Sequence, residues 1–246
     1  IHYCKTGFIF QLSVFTAIIP VIVELVIILV YVLCIDKKLK MKFRELLDFD
    51  KSYLGDYVRT STPMFLSGAL WGVAQAVQTA VLGHISATVI AANSIASVIF
   101  QIFAVVGMSS ANVASVTMGK TIGEGRLNMV RSYSKTMQAI FLIIGVTFGG
   151  MMFLFKDAIV GIYTVSEETK ELALSFLTVL SVTTVGSCFE YPIEGGIIAG
   201  GGDTKYAAIV DNLFMWLYTI PSACVSAFVL KLPPVVTFCF LKSDQI

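Results

Sequence analysis

Glu190 and Glu194 stand four residues apart with Pro192 between them, in a run from Leu172 to Ala199 that holds no other charged residue. On a helix that spacing puts both carboxylates on one face. The proline removes a backbone hydrogen bond and favours a break or kink. Two carboxylates beside such a break can bind a proton or a sodium ion in exchange for a cationic substrate, because interrupted helices are what transporters build around their binding sites. For Glu194 the alternative is a position near enough to the aqueous face to be hydrated and idle; Glu190 lies a turn deeper. Asp211, just inside the next apolar run, is a third coupling candidate, or else an interfacial first-turn acid.

Uncharged groups extend the set. Gln75, Gln78, Asn93 and Asn112 could line a substrate cavity, and Trp71 and Trp216 could offer aromatic faces to organic cations; helix packing and interface anchoring are their ordinary alternatives. No catalytic constellation appears. G-x-S-x-G, H-E-x-x-H and the P-loop spacing are all missing, and Gly200 to Lys205 reads as a tight turn with Asp203 or Thr204 capping the helix that follows. Two histidines, His2 and His84, do not make a metal site. Five scattered cysteines without a C-x-x-C suggest packing rather than zinc or redox work, so neither metal nor cofactor is expected beyond a coupling Na+ or H+.

The elements that must position these residues follow from composition. Hydrophobic residues make up 57% of the chain and charged ones only 13%, with a mean hydropathy of +0.85. A soluble domain carries about 25% charged residues. Between Arg59 and Lys120 no Asp, Glu, Lys or Arg occurs. A helix needs about 20 apolar residues to cross a hydrocarbon core of about 30 Å. The sequence therefore predicts an all-α, polytopic transmembrane bundle of six helices plus the start of a seventh. Its spans lie near residues 11–35, 62–82, 88–116, 137–155, 172–199 and 207–230, with the tail 233–246 beginning another.

Lys37, Lys38, Lys40, Lys42, Arg44, Lys51 and Arg59 fall in one connection, Lys120, Arg126, Arg131 and Lys135 in another, and Lys205 in a third. Strict alternation of helices puts all three on one side, which the positive-inside bias makes cytoplasmic. The expected surroundings are the lipid bilayer of the cell membrane, with no nucleic-acid partner. The chain opens on Ile1 without a leader and stops at Ser243 to Ile246, about one turn after an apolar run too short to cross, so it is expected to be a piece of a longer protein.

Four motifs in order carry a family resemblance. Pro192 to Lys205 resembles the G-I-L-R-G-x-G-D-T signature of the MATE (multidrug and toxic compound extrusion) transporters. Gly83 to Ala96 is similar to that family's glycine turn and the helix after it, and Met118 to Arg126 to its next glycine loop. Trp216 with Ile220-Pro221 is the fourth. The resemblance implies a twelve-helix fold of two lobes around a central cleft, exporting drugs or other small organic compounds by alternating access with Na+ or H+ in antiport. Residues 1–35 would be the last helix of the N-terminal lobe and 36–60 a cytoplasmic amphipathic linker. Residues 61–246 would be the C-terminal lobe, truncated in its last helix, with the rest of the N-terminal lobe as its missing partner. The sequence departs from the pattern after Pro63, where Met64 to Trp71 lack the acid many members carry, and at Ala199, where a basic residue is usual. A lipid-linked oligosaccharide flippase of the same superfamily is the alternative, but its cavity would need Lys or Arg inside the spans, and none is there. A polytopic membrane enzyme is a third reading, with no cluster to support it.

Overall fold

A computed structural model describes residues 18–19, 21–32 and 51–245. The chain divides into two compact units, Ile1–Tyr57 and Val58–Ile246. Of the first predicted span, only the apolar helix α1 (Val21–Val30) lies among the described residues. Most of the linker, with its lysines 37 to 42 and Arg44, lies outside them.

The second unit is a helical bundle. Helix α2 (Lys51–Ile85) already starts within the expected linker and passes through Pro63. It is followed by α3 (Ala87–Gly123), α4 (Leu127–Gly161) and α5 (Glu167–Tyr191), the last continued by a wider π-helical stretch, Pro192–Ile198. Next come α6 (Thr204–Phe214), a second π stretch Met215–Thr219, the short α7 (Ile220–Cys224) and a third π stretch Val225–Val229. Five of these helical segments are long and apolar enough to cross a membrane. Helix α8 (Pro234–Leu241) and a single 3₁₀ turn, Ser243–Gln245, complete the described chain.

The helices outrun their apolar cores. Helix α4 begins ten residues before the apolar run at 137, through Arg131 and Lys135, because long basic side chains favour helix and keep their charges in water. The connection between the spans expected at 62–82 and 88–116 shrinks to Ser86 alone, whose extended backbone and hydroxyl cap α3 by accepting from the Val89 N–H at 3.2 Å. Asp203 caps α6 in the same way, accepting from the Tyr206 N–H at 3.1 Å.

Small residues set the spacing inside the bundle. Gly145 and Gly149 face α5 so closely that a Cβ would lie 2.8 Å from the Val185 carbonyl oxygen and 2.5 Å from that of Ser181. Gly196 and Gly200 repeat the four-residue spacing against α3, where a Cβ would meet the Ala114 Cβ and the Ser115 Cα, each at 2.6 Å. This second contact also puts the Gly200 loop beside the end of α3 that carries Lys120, so two of the basic connections share one end of the bundle. The main apolar core joins α3, α5 and α8, with Phe176 stacked on Phe238 at 4.1 Å between ring centroids. A smaller cluster of Ala74, Met215 and Ile220 holds α2 to the segment after α6.

Candidate functional site: an acidic cavity between α2, α3, α5 and α6

The helix carrying the two glutamates is not interrupted at Pro192. Tyr191, Pro192 and Ala199 all keep right-handed helical dihedrals, and the missing proline N–H is absorbed by widening the helix into the π stretch. Single π turns inside α-helices are a common device at functional sites. The widened turn is clamped against α3 by Gly196 and Gly200, which fixes the direction in which Glu190 and Glu194 project.

Asp211 joins them from α6. One oxygen from each of Glu190, Glu194 and Asp211 lies within 4.8 Å of the other two, and all three side chains are half-buried. Asn212, the next residue, fastens α6 to α2 by donating to Ser67 Oγ at 2.6 Å. Three negative charges at that separation repel one another by about 3 to 4 kcal/mol per pair at an effective dielectric constant of about 20. Among the described residues the ion pairs are Lys120–Glu124, Arg126–Glu124 and Lys170–Glu167, so no basic side chain neutralises this cluster.

The cluster opens on a cavity of about 400 Å³. Trp71 from α2, Met108 and Asn112 from α3, and Tyr191 beside the glutamates give it an aromatic, thioether and amide lining. The volume and the mix of apolar wall with a few charged groups are those of a small-molecule site. Among the described residues no Lys, Arg, His or Cys lines it.

The other sequence candidates are elsewhere. Gln75, Gln78 and Asn93 surround a separate, small chamber of about 30 Å³, shared with Ser97 and Lys242. Gln78 donates there to the Met215 sulfur at 3.4 Å. Trp216 lines a wider apolar groove between α2 and α6. Reasoning from sequence missed two residues that do reach the acidic cavity, Asp244 and Gln245. Their place after a short apolar run offered no signal of where they point.

Comparison with known proteins agrees with the bundle and its helix order. The MatE family model matches residues 63–225. The probable multidrug resistance protein NorM of Xanthomonas axonopodis pv. citri is 25% identical over 173 residues, covering 68% of this chain and 36% of its own length. NorM of Bacillus thuringiensis subsp. konkukian is 23% identical over 149 residues, 61% of this chain and 33% of the relative. Multidrug and toxin extrusion protein 1 of Pongo abelii is 24% identical over 139 residues, 55% of this chain and 24% of that protein. The matched region thus spans about a third or less of these relatives. Among solved structures, a MOP superfamily transporter from Pyrococcus furiosus superposes with a TM-score of 0.67 at 18% identity, over 76% of this chain and 41% of its own. A MATE protein in complex with MaL6 gives 0.68 at 19%, over the same shares. At these identities the structural likeness speaks for the fold. The family match covers residues 63–225, more than half of the chain, and the chain belongs to the MatE family of multi-pass membrane transporters, not enzymes.

Proposed function

We propose that this chain forms the C-terminal lobe of a cation-coupled exporter of organic compounds, together with one helix and the linker of the other lobe, and works by alternating access. The observation that carries the reading is the meeting of Glu190, Glu194 and Asp211 within 4.8 Å at the wall of a 400 Å³ cavity. In this reading a coupling ion, Na+ or H+, and an organic cation use the same negative charge in turn. Binding of one displaces the other, which is what antiport requires. Trp71 offers the organic cation an aromatic face at the same wall. A lining with acids and no Lys or Arg repels a lipid pyrophosphate, so the superfamily's flippase chemistry fits this cavity poorly. The names of the matched relatives, multidrug resistance and toxin extrusion proteins, point the same way.

The test is Glu190→Gln in the full-length transporter carrying these residues. Glutamine keeps the size of the side chain and removes its charge. Uptake of a cationic dye into everted vesicles, which is the export direction in the cell, driven by a pH or Na+ gradient, should fall at least about tenfold, the loss expected when a buried group that must hold the coupling ion can no longer do so. Wild-type uptake in the variant would take Glu190 out of the coupling mechanism.

A further inference from the structure

Three buried acceptor atoms without any hydrogen-bond partner face the same cavity: Glu190 Oε2, Asp244 Oδ1 and Gln245 Oε1. Gln245 is only 7% exposed, so its amide oxygen has no bulk water to turn to. A buried acceptor left empty costs on the order of 1 to 3 kcal/mol, and native structures rarely leave one so. Three in one place, all acceptors, describe a lining that wants positive charge; the nearby Lys242, two residues before Asp244, makes no ion pair with it among the described residues.

The way Asp244 and Gln245 reach the site is built into the fold. Lys231, with a positive φ of 47°, turns the chain after the last π stretch, and Pro233-Pro234 start α8 back into the bundle. Phe238, fully buried, stacks on Phe176 of α5 and sets the depth of α8. The 3₁₀ turn Ser243–Gln245 follows at once, its Ser243 hydroxyl donating to the Phe240 carbonyl at 2.7 Å, and delivers the two side chains to the cavity wall.

We propose that Asp244 and Gln245 are ligand residues of the cation site, supplying a carboxylate and an amide oxygen to a hard metal cation held jointly with Glu190, Glu194 and Asp211. This inference rests on the cation-site reading above and extends it to a segment 33 residues beyond Asp211 in the sequence. An all-oxygen set of carboxylates and an amide, without His or Cys, selects hard cations over soft ones. The neutral Gln245 oxygen adds coordination, and the carboxylates around it supply the charge.

The experiment uses Tb³⁺ as the probe on the full-length protein in detergent micelles, with its luminescence sensitised by Trp71 on the cavity wall. Trp71→Phe identifies the part of the signal that belongs to this site. Wild-type protein should show a saturable Trp71-dependent signal, and Asp244→Asn and Gln245→Leu should each raise the half-saturating Tb³⁺ concentration by about tenfold. Gln245→Glu keeps the side chain's size and adds charge, and should lower that concentration severalfold; it decides the matter should the leucine variant fail to fold. A Trp71-dependent signal whose half-saturation is the same in Asp244→Asn and in Gln245→Glu would overturn the role of this segment and leave the three-carboxylate site standing. Absence of any Trp71-dependent saturable signal in the wild type would overturn the cation site itself.

Discussion

Where α4 meets α5, two glycines bring the backbones together so closely that an added methyl group would sit 2.5 to 2.8 Å from a carbonyl oxygen. Where α2 meets α6 no glycine is pressed against the partner helix: Gly68 and Gly72 are exposed, with nothing within 4 Å of where a Cβ would be. That second contact is made by a few side chains instead, Asn212 on Ser67 and Gln78 on Met215, with cavities on both sides of it. A tight seam leaves no room for a ligand, and a sparse one has room by construction. The two glutamates sit on the helix that belongs to the tight seam, and Asp211 on the helix that belongs to the sparse one. The candidate site is therefore a bridge between a closely packed group of helices and a loosely packed pair, where a change in occupancy can be felt as a change in helix spacing.

The comparison is broken most directly at Gly149. Gly149→Ala places a methyl group against the Ser181 carbonyl, a backbone atom that cannot turn aside. It should cost about 1 to 3 kcal/mol or more, as overpacking of a fitted core does, read as a lower midpoint of thermal unfolding in detergent. A loss below about 0.5 kcal/mol would mean that α4 and α5 can slide apart freely, and that the contrast between the seams is smaller than the distances suggest.

A smaller effect is expected at the sparse seam. Asn212→Ala removes the link to Ser67 and should cost about 0.6 kcal/mol, the average for hydrogen bonds between membrane helices. Its more informative readout is the Tb³⁺ titration, because Asp211 is the adjoining residue and loses its tether to α2. Weaker probe binding with nearly unchanged unfolding would sharpen the view that α2 positions the site more than it stabilises the bundle. Destabilisation as large as that of Gly149→Ala would place the tight seam here instead.

How much of this was legible beforehand depends on which physical signal each residue carries. The apolar runs and their missing charges located the spans, since desolvating a charge is costly wherever it occurs. Glu190, Glu194 and Asp211 were legible as a group because a four-residue spacing and a short hairpin connection both constrain distance locally. The rotation of α2 was not: that helix is apolar nearly all round, so nothing in its pattern told the face of Gln75 and Gln78 from that of Trp71, and the structure sends them to different cavities. Trp216 follows Asp211 by five residues, about 140° around a regular helix turn, and it lines the groove with α2 rather than the acidic cavity. Asp244 and Gln245 were illegible for a plainer reason. Their approach to Glu190 is a tertiary contact set by the reversal at Lys231 and the stacking of Phe238, and neither leaves a periodic trace.

The smallest effect is the one expected at Gly72. It lies in the middle of α2, one residue from Trp71, with open space where a side chain would begin. Gly72→Ala should change the unfolding midpoint by no more than the equivalent of about 0.5 kcal/mol, as substitutions away from packed contacts do, and alanine's better helix propensity pushes towards a gain. The value of so quiet a variant lies in pairing it with Gly149→Ala, because the two substitutions add the same methyl group to two transmembrane helices of one bundle. If Gly72→Ala proves as costly as Gly149→Ala, then α2 has a partner pressed against that face, and the open side of the cavity wall is closed by a surface other than those of α3, α5 and α6.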